Sequence, residues 1–66
     1  MTIYELTTDE LKQLTFEVKN SQFVSDLMCQ TIKDTYNLTD EQMKVHVNLH
    51  LVSLGWEVAE ELIKRM

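Results

Sequence analysis

Apolar residues in the C-terminal half of the chain recur with the spacing of an α-helix. From Thr39 onward they follow one another at alternating steps of four and three residues, which places them along one side of a helix. One row contains Val45, Leu49, Val52, Trp56, Ala59, Ile63 and Met66, and a second row contains Met43, Val47, Leu51, Leu54, Val58 and Leu62. A surface helix needs only one such row. We therefore expect a helix over about residues 40–65 that is covered from two directions.

The same region also carries the alternation that is typical of a half-buried β-strand. Residues 44–52 read KVHVNLHLV, with β-branched residues at several of the apolar positions. A helix accounts for every apolar residue from Met43 to Met66, whereas the alternation stops at Val52. The helix is the favoured interpretation, and a strand over residues 44–52 is the alternative.

Two predicted helix starts share one sequence pattern. In each, a threonine is followed three residues later by Glu or Gln, which is the arrangement of a capping box, and apolar residues flank the pair as in a hydrophobic staple. The first start is formed by Leu6, Thr7, Glu10 and Leu11, and the second by Leu38, Thr39, Gln42 and Met43. These patterns predict helices that begin near residues 8 and 40.

The first half of the chain is less regular. Asn20 and Ser21 are the best local helix breakers, because their side chains compete for backbone hydrogen bonds. They divide this half into predicted helices over about 8–19 and 21–36, although one continuous helix that kinks there is also consistent with the pattern. Residues 14–19 alternate as well, so a short strand is a further alternative. Residues 1–6 are predicted to form an extended N-terminal arm before this single helical domain.

Composition supports an all-α fold, a small two- or three-helix bundle. The chain has no proline and one glycine among its 66 residues, too few for the turns of a sheet protein. A core of this size is near the lower limit for stability, and Cys29, the only cysteine, has no partner for a disulfide. We therefore expect a dimer to complete the bundle. A lone cysteine, and no recognisable signal peptide or apolar span, predict a cytoplasmic protein.

The charge balance is acidic. Eleven Asp and Glu against six Lys and Arg give a net charge of −5. Nucleic-acid-binding domains usually gather basic residues on one face, and here these residues are scattered. Direct binding of nucleic acid or of an anionic membrane surface is therefore disfavoured.

Few residues indicate chemistry. His46 and His50 are four residues apart, so their rings could converge on one metal ion with Glu57 as a third ligand. A zincin motif is absent, and a solvated polar face is the favoured interpretation. Cys29 has no activating neighbour, and no glycine-rich loop could hold a phosphate. The sequence therefore predicts no catalytic site and no cofactor.

Other residues are candidates for a partner or dimer interface. Trp56 is either ordinary core or an interface anchor. Gly55 and Ala59 remove side-chain bulk from one helix face, which permits a close helix crossing. Phe16, Phe23 and Leu27 lie opposite the main apolar face of the first half and could form a second contact surface.

These features favour a small acidic module that binds another protein chain as a regulator or inhibitor. The surplus of apolar surface predicts that it forms a homodimer. Size and acidity suit a stand-alone regulator such as those encoded by phages or mobile elements. One alternative is a three-helix nucleic-acid-binding regulator, in which Asp40, Glu41 and Gln42 would begin the recognition helix. The other is a metal-binding helical domain that uses His46 and His50.

Overall fold

A computed structural model describes residues 2–20 and 24–66 of the protein. In these residues the chain forms three α-helices, α1 (Thr8–Lys19), α2 (Asp26–Tyr36) and α3 (Asp40–Arg65), preceded by a 3₁₀ turn at Ile3–Glu5. The described part contains no strand, so the predicted all-α bundle is confirmed. Residues 14–19 and 44–52 are both helical, and the two strand alternatives are wrong.

Helices α1 and α3 begin at the predicted capping boxes. The Thr7 hydroxyl accepts a hydrogen bond from the Glu10 amide at 3.1 Å, and the Thr7 amide donates to the Glu10 carboxylate at 3.0 Å. Thr39 and Gln42 form the same pair of bonds at 3.2 and 3.0 Å. Both boxes satisfy amides that a helix N-terminus would otherwise leave without partners.

The break between α1 and α2 lies where the sequence placed it. α1 ends at Lys19, and the Asn20 side chain donates to the Phe16 carbonyl at 2.8 Å. The predicted start of α2 near residue 21 is too early, because Val24 and Ser25 are not helical. Ser25 is the N-cap instead, since its hydroxyl accepts from the Met28 amide at 3.1 Å and donates to the Glu17 carboxylate at 2.6 Å.

A short turn joins α2 to α3. Asn37 adopts the left-handed conformation with φ 54°, which Asn tolerates better than most residues. The turn brings Lys33 of α2 into an ion pair with Asp40, the first residue of α3. Hydrogen bonding and charge attraction from Lys33 lower the pKa of the Asp40 carboxyl.

The N-terminal segment is not the extended arm that the sequence predicted. Ile3–Glu5 forms one 3₁₀ turn, and the Ile3 and Leu6 side chains are buried against the helices. Arg65 at the end of α3 holds this segment, because its Nη1 donates to the Leu6 carbonyl at 2.7 Å and its Nη2 to the Tyr4 carbonyl at 3.4 Å. Burial of two apolar side chains overrode the absence of any helical pattern in this segment.

One core joins all of these elements. Its buried apolar residues are Ile3, Leu6, Leu11, Leu14, Met28, Ile32, Met43, Leu51, Leu54 and Val58. The residues that α3 contributes belong to the second of its two apolar rows. Within residues 2–20 and 24–66, no helix combines the length and apolar character needed to cross a membrane.

Candidate functional site

The first apolar row of α3 lies on the outside of the bundle. We define the outer stripe as Val45, Leu49, Val52, Trp56, Ala59 and Ile63. Its five larger side chains are each 63–75 % exposed, and Ala59 is also exposed. Within one copy of the chain α3 is covered from one direction only, and its predicted cover from a second direction remains a prediction about a partner chain. Helices α1 and α2 cover one side of α3, and the outer stripe remains open to solvent.

α3 departs from regular helix at one residue. His46 has φ −113° and ψ 16°, values in the bridge region between helix and strand. The departure lies within the segment whose alternation resembles a strand, and neither Pro nor Gly is present there to cause it. It separates Val45 from the rest of the outer stripe, so Leu49 to Ile63 lie on one continuous stretch of helix.

Gly55 and Ala59 serve different surfaces. A Cβ atom at Gly55 would lie 3.1 Å from Cγ1 of Val18, which is tighter than ordinary van der Waals contact. Gly55 thus permits the close crossing of α1 and α3 within one chain. Ala59 lies on the outer stripe, so the two small residues that the sequence grouped as one interface face different neighbours.

An open groove borders the outer stripe on the side of α1. It has a volume of ≈ 200 Å³ and is lined by Val18, Asn48, Leu51 and Val52. Val52 belongs both to the groove and to the stripe, so the two features are continuous. Sequence reasoning missed the groove, because Val18 reaches it from a different helix and no local pattern links the two.

The remaining interface candidates have different environments. Phe16 is 64 % exposed and lies two residues from both Leu14 and Val18, which places it on the opposite side of α1 from the core. Leu27 is half-buried and packs against the core, so most of it is internal. Phe23 lies outside the described residues.

A polar cluster lies where α2 meets α3. The rings of Tyr36 and His50 have centroids 4.9 Å apart, and those of His46 and His50 are 6.0 Å apart. The Tyr36 hydroxyl is buried and, among the described residues, has no hydrogen-bond partner. Burial, followed by the negative charge of nearby Glu57, raises its pKa to about 12.

This cluster does not assemble a metal site. Across residues 2–20 and 24–66, no three His, Cys, Asp or Glu side chains lie close enough together to hold a metal ion. His46 and His50 adjoin each other as their spacing predicted, but Glu57 does not complete a ligand set with them. Its interaction is with Tyr36.

Comparison with known proteins adds no relative to this description. No family model, curated protein or solved structure matches the chain.

Proposed function

We propose that this chain is a helical protein–protein interaction module that regulates or inhibits a partner by binding it through the outer stripe of α3. The observation that carries the proposal is the exposure of Trp56, 71 %, in the middle of a continuous apolar row. Tryptophan is enriched among the residues that dominate binding energy. Exposed apolar patches on soluble proteins often mark contact sites.

The environment of the stripe supports a protein partner over a nucleic acid. The stripe contains no charged residue, whereas nucleic-acid affinity comes mainly from basic side chains that contact phosphates. The first turn of α3, where a recognition helix would contact bases, presents the carboxylates of Asp40 and Glu41. The partner of the outer stripe would be a second copy of the chain or an amphipathic helix of a different protein. Such a helix binds by placing its own apolar face against the stripe.

The test is affinity capture from the host lysate with three forms of the chain. Trp56→Glu places a charge in the centre of the stripe, and Phe16→Glu does the same to an equally exposed ring on the far side of α1. We expect wild type and Phe16→Glu to capture the same protein, and Trp56→Glu to lose it while keeping its helical circular dichroism spectrum. Equal capture by all three forms would contradict binding through the stripe.

A further inference from the structure

We infer that the outer stripe binds a second copy of this chain, whose α3 runs antiparallel to the first, and that Trp56 of each copy enters the groove of the other. This inference rests on the proposed function, since it names the occupant of the same face. The sizes of the side chains along the stripe, the groove beside it and the distribution of charge support this pairing.

The order of large and small residues fits an antiparallel pairing. Steps of four and three residues are those of a coiled-coil seam. When Val52 lies opposite Trp56 of the second copy, the same alignment places Leu49 opposite Ala59, so each larger residue meets a smaller one. A parallel pairing would set Trp56 against Trp56 and Ala59 against Ala59. Crowding in one layer and a void in the next both destabilise a packed interface.

In the antiparallel alignment, Trp56 of the second copy lies next to the groove of the first copy. Trp56 of the second copy arrives at the level of Val52, which forms one wall of the groove. A cavity of about 150 Å³ holds a benzene molecule, so ≈ 200 Å³ provides room for much of an indole ring. Asn48 lines the same groove and offers an amide oxygen to the indole N–H, which needs an acceptor when buried.

Charge also favours this arrangement. The edges of the stripe hold His46, Ser53 and Glu60 on one side and Asn48, Gly55 and Leu62 on the other. Among these edge positions of α3 the only carboxylate is Glu60, and antiparallel alignment brings it toward His46 of the second copy. Antiparallel helices also oppose their dipoles favourably.

The area available indicates a modest affinity. At about 60–120 Å² for each aliphatic side chain and about 150–250 Å² for tryptophan, the exposed parts of the stripe amount to roughly 400 Å² per copy. Two copies would bury about 800 Å² from these side chains alone, and the groove and edges add to this. Stable interfaces bury about 1,200–2,000 Å². Because the stripe falls below that range, association should be weak and reversible on dilution.

Sedimentation equilibrium between about 1 µM and about 1 mM protein tests the association. We expect a reversible monomer–dimer equilibrium for wild type, a dissociation constant at least about 30-fold higher for Trp56→Glu, and a change of less than about 2-fold for Phe16→Glu. A folded wild-type chain that stays monomeric throughout this range overturns the inference. The capture experiment tests the proposed function separately, because it measures whether binding of a different protein depends on Trp56.

A distance measurement tests the geometry even if Trp56→Glu fails to fold. A nitroxide label is placed at Lys64→Cys in a Cys29→Ser background, and the distance between labels is measured by pulsed electron paramagnetic resonance. In the antiparallel alignment the two labelled positions are offset by 20 residues, or about 30 Å along the helix axis. Parallel helices would bring them within about 10–15 Å. A short distance, or a dimer whose labels show no defined separation, overturns the pairing.

Discussion

Tyr36 has a buried hydroxyl whose ionisation the fold opposes. Its hydroxyl is buried without a hydrogen-bond partner in the described part of the chain, and the nearby Glu57 carboxylate opposes a second negative charge. Both effects favour the neutral phenol. The Tyr36 ring packs against the His50 ring and so contributes a contact between α2 and α3.

The raised pKa of Tyr36 predicts a loss of stability in alkali. In the unfolded chain the phenol ionises near 10.0, and in the folded chain near 12. The folded state therefore binds the proton more tightly, and the stability that this contributes is complete below pH 10 and lost as the pH rises toward 12. We expect the free energy of unfolding to fall by about 1–2 kcal/mol across this window, allowing for partial exposure.

Urea unfolding at several alkaline pH values measures this loss, and Tyr36→Phe provides the control. The variant keeps the ring and removes the unpartnered hydroxyl, so it should match wild-type stability near neutral pH within about 1 kcal/mol. Between pH 10 and pH 12 the variant should lose less unfolding free energy than wild type, by the amount of about 1–2 kcal/mol that is assigned to Tyr36. Identical alkaline profiles would show that the loss does not come from Tyr36.

At the scale of the helices, the capping boxes make separable contributions. Thr39→Ala removes the hydroxyl that accepts from the Gln42 amide and should cost about 1 kcal/mol of unfolding free energy. Thr8→Ala is a matched control, since Thr8 is an exposed threonine in the first turn of α1 rather than at its N-cap. Its effect should remain within about 0.5 kcal/mol. Equal losses measured by urea unfolding would contradict the capping role.

The helices show which parts of the fold are readable from sequence. The starts of α1 and α3 were predictable because a capping box is encoded within four consecutive residues. The start of α2 was not, because Ser25 gains its role partly from Glu17, eight residues away. Both apolar rows of α3 were visible in the sequence. Because the two rows are similarly apolar, the sequence does not show which of them faces the core. The packing of α1 and α2 decides which row is buried. It therefore also decides which residues of α3 remain exposed for a partner.

The candidate site was predictable in part for the same reason. Trp56 and Ala59 stood out by residue type and lie on the outer stripe. Gly55 stood out equally, yet its role is the contact with Val18. The groove and the departure at His46 had no sequence signal, since both arise from the arrangement of several elements rather than from local spacing.

For the whole molecule, one side chain connects the two ends of the described fold. Arg65 binds the carbonyls of Leu6 and Tyr4 and also pairs with Glu61 at 3.1 Å. The first bond joins residues 59 positions apart in sequence. The side chain is largely shielded, 23 % exposed, so these charge-assisted bonds are less screened by water than those of a surface pair.

Arg65→Met should therefore loosen the N-terminal turn. Methionine keeps most of the side-chain length but donates no hydrogen bond, and we expect a loss of about 1–2 kcal/mol in the free energy of unfolding. Amide exchange at Glu5 and Leu6 should accelerate, because their bonds close the 3₁₀ turn. Lys64→Met removes the adjacent cation as a control. The role assigned to Arg65 is wrong if both variants behave alike.

The irregular geometry at His46 limits how far any neighbouring helix can follow α3. A straight helix that lies along Leu49, Val52, Trp56 and Ala59 loses contact with α3 at His46. The part of α3 before His46 runs in a different direction. From Leu49 to Ile63, contact is confined to about four turns, whatever the length of the helix that binds. We therefore expect the stripe to accept a short apolar helix and to give a long coiled coil no continuous contact surface.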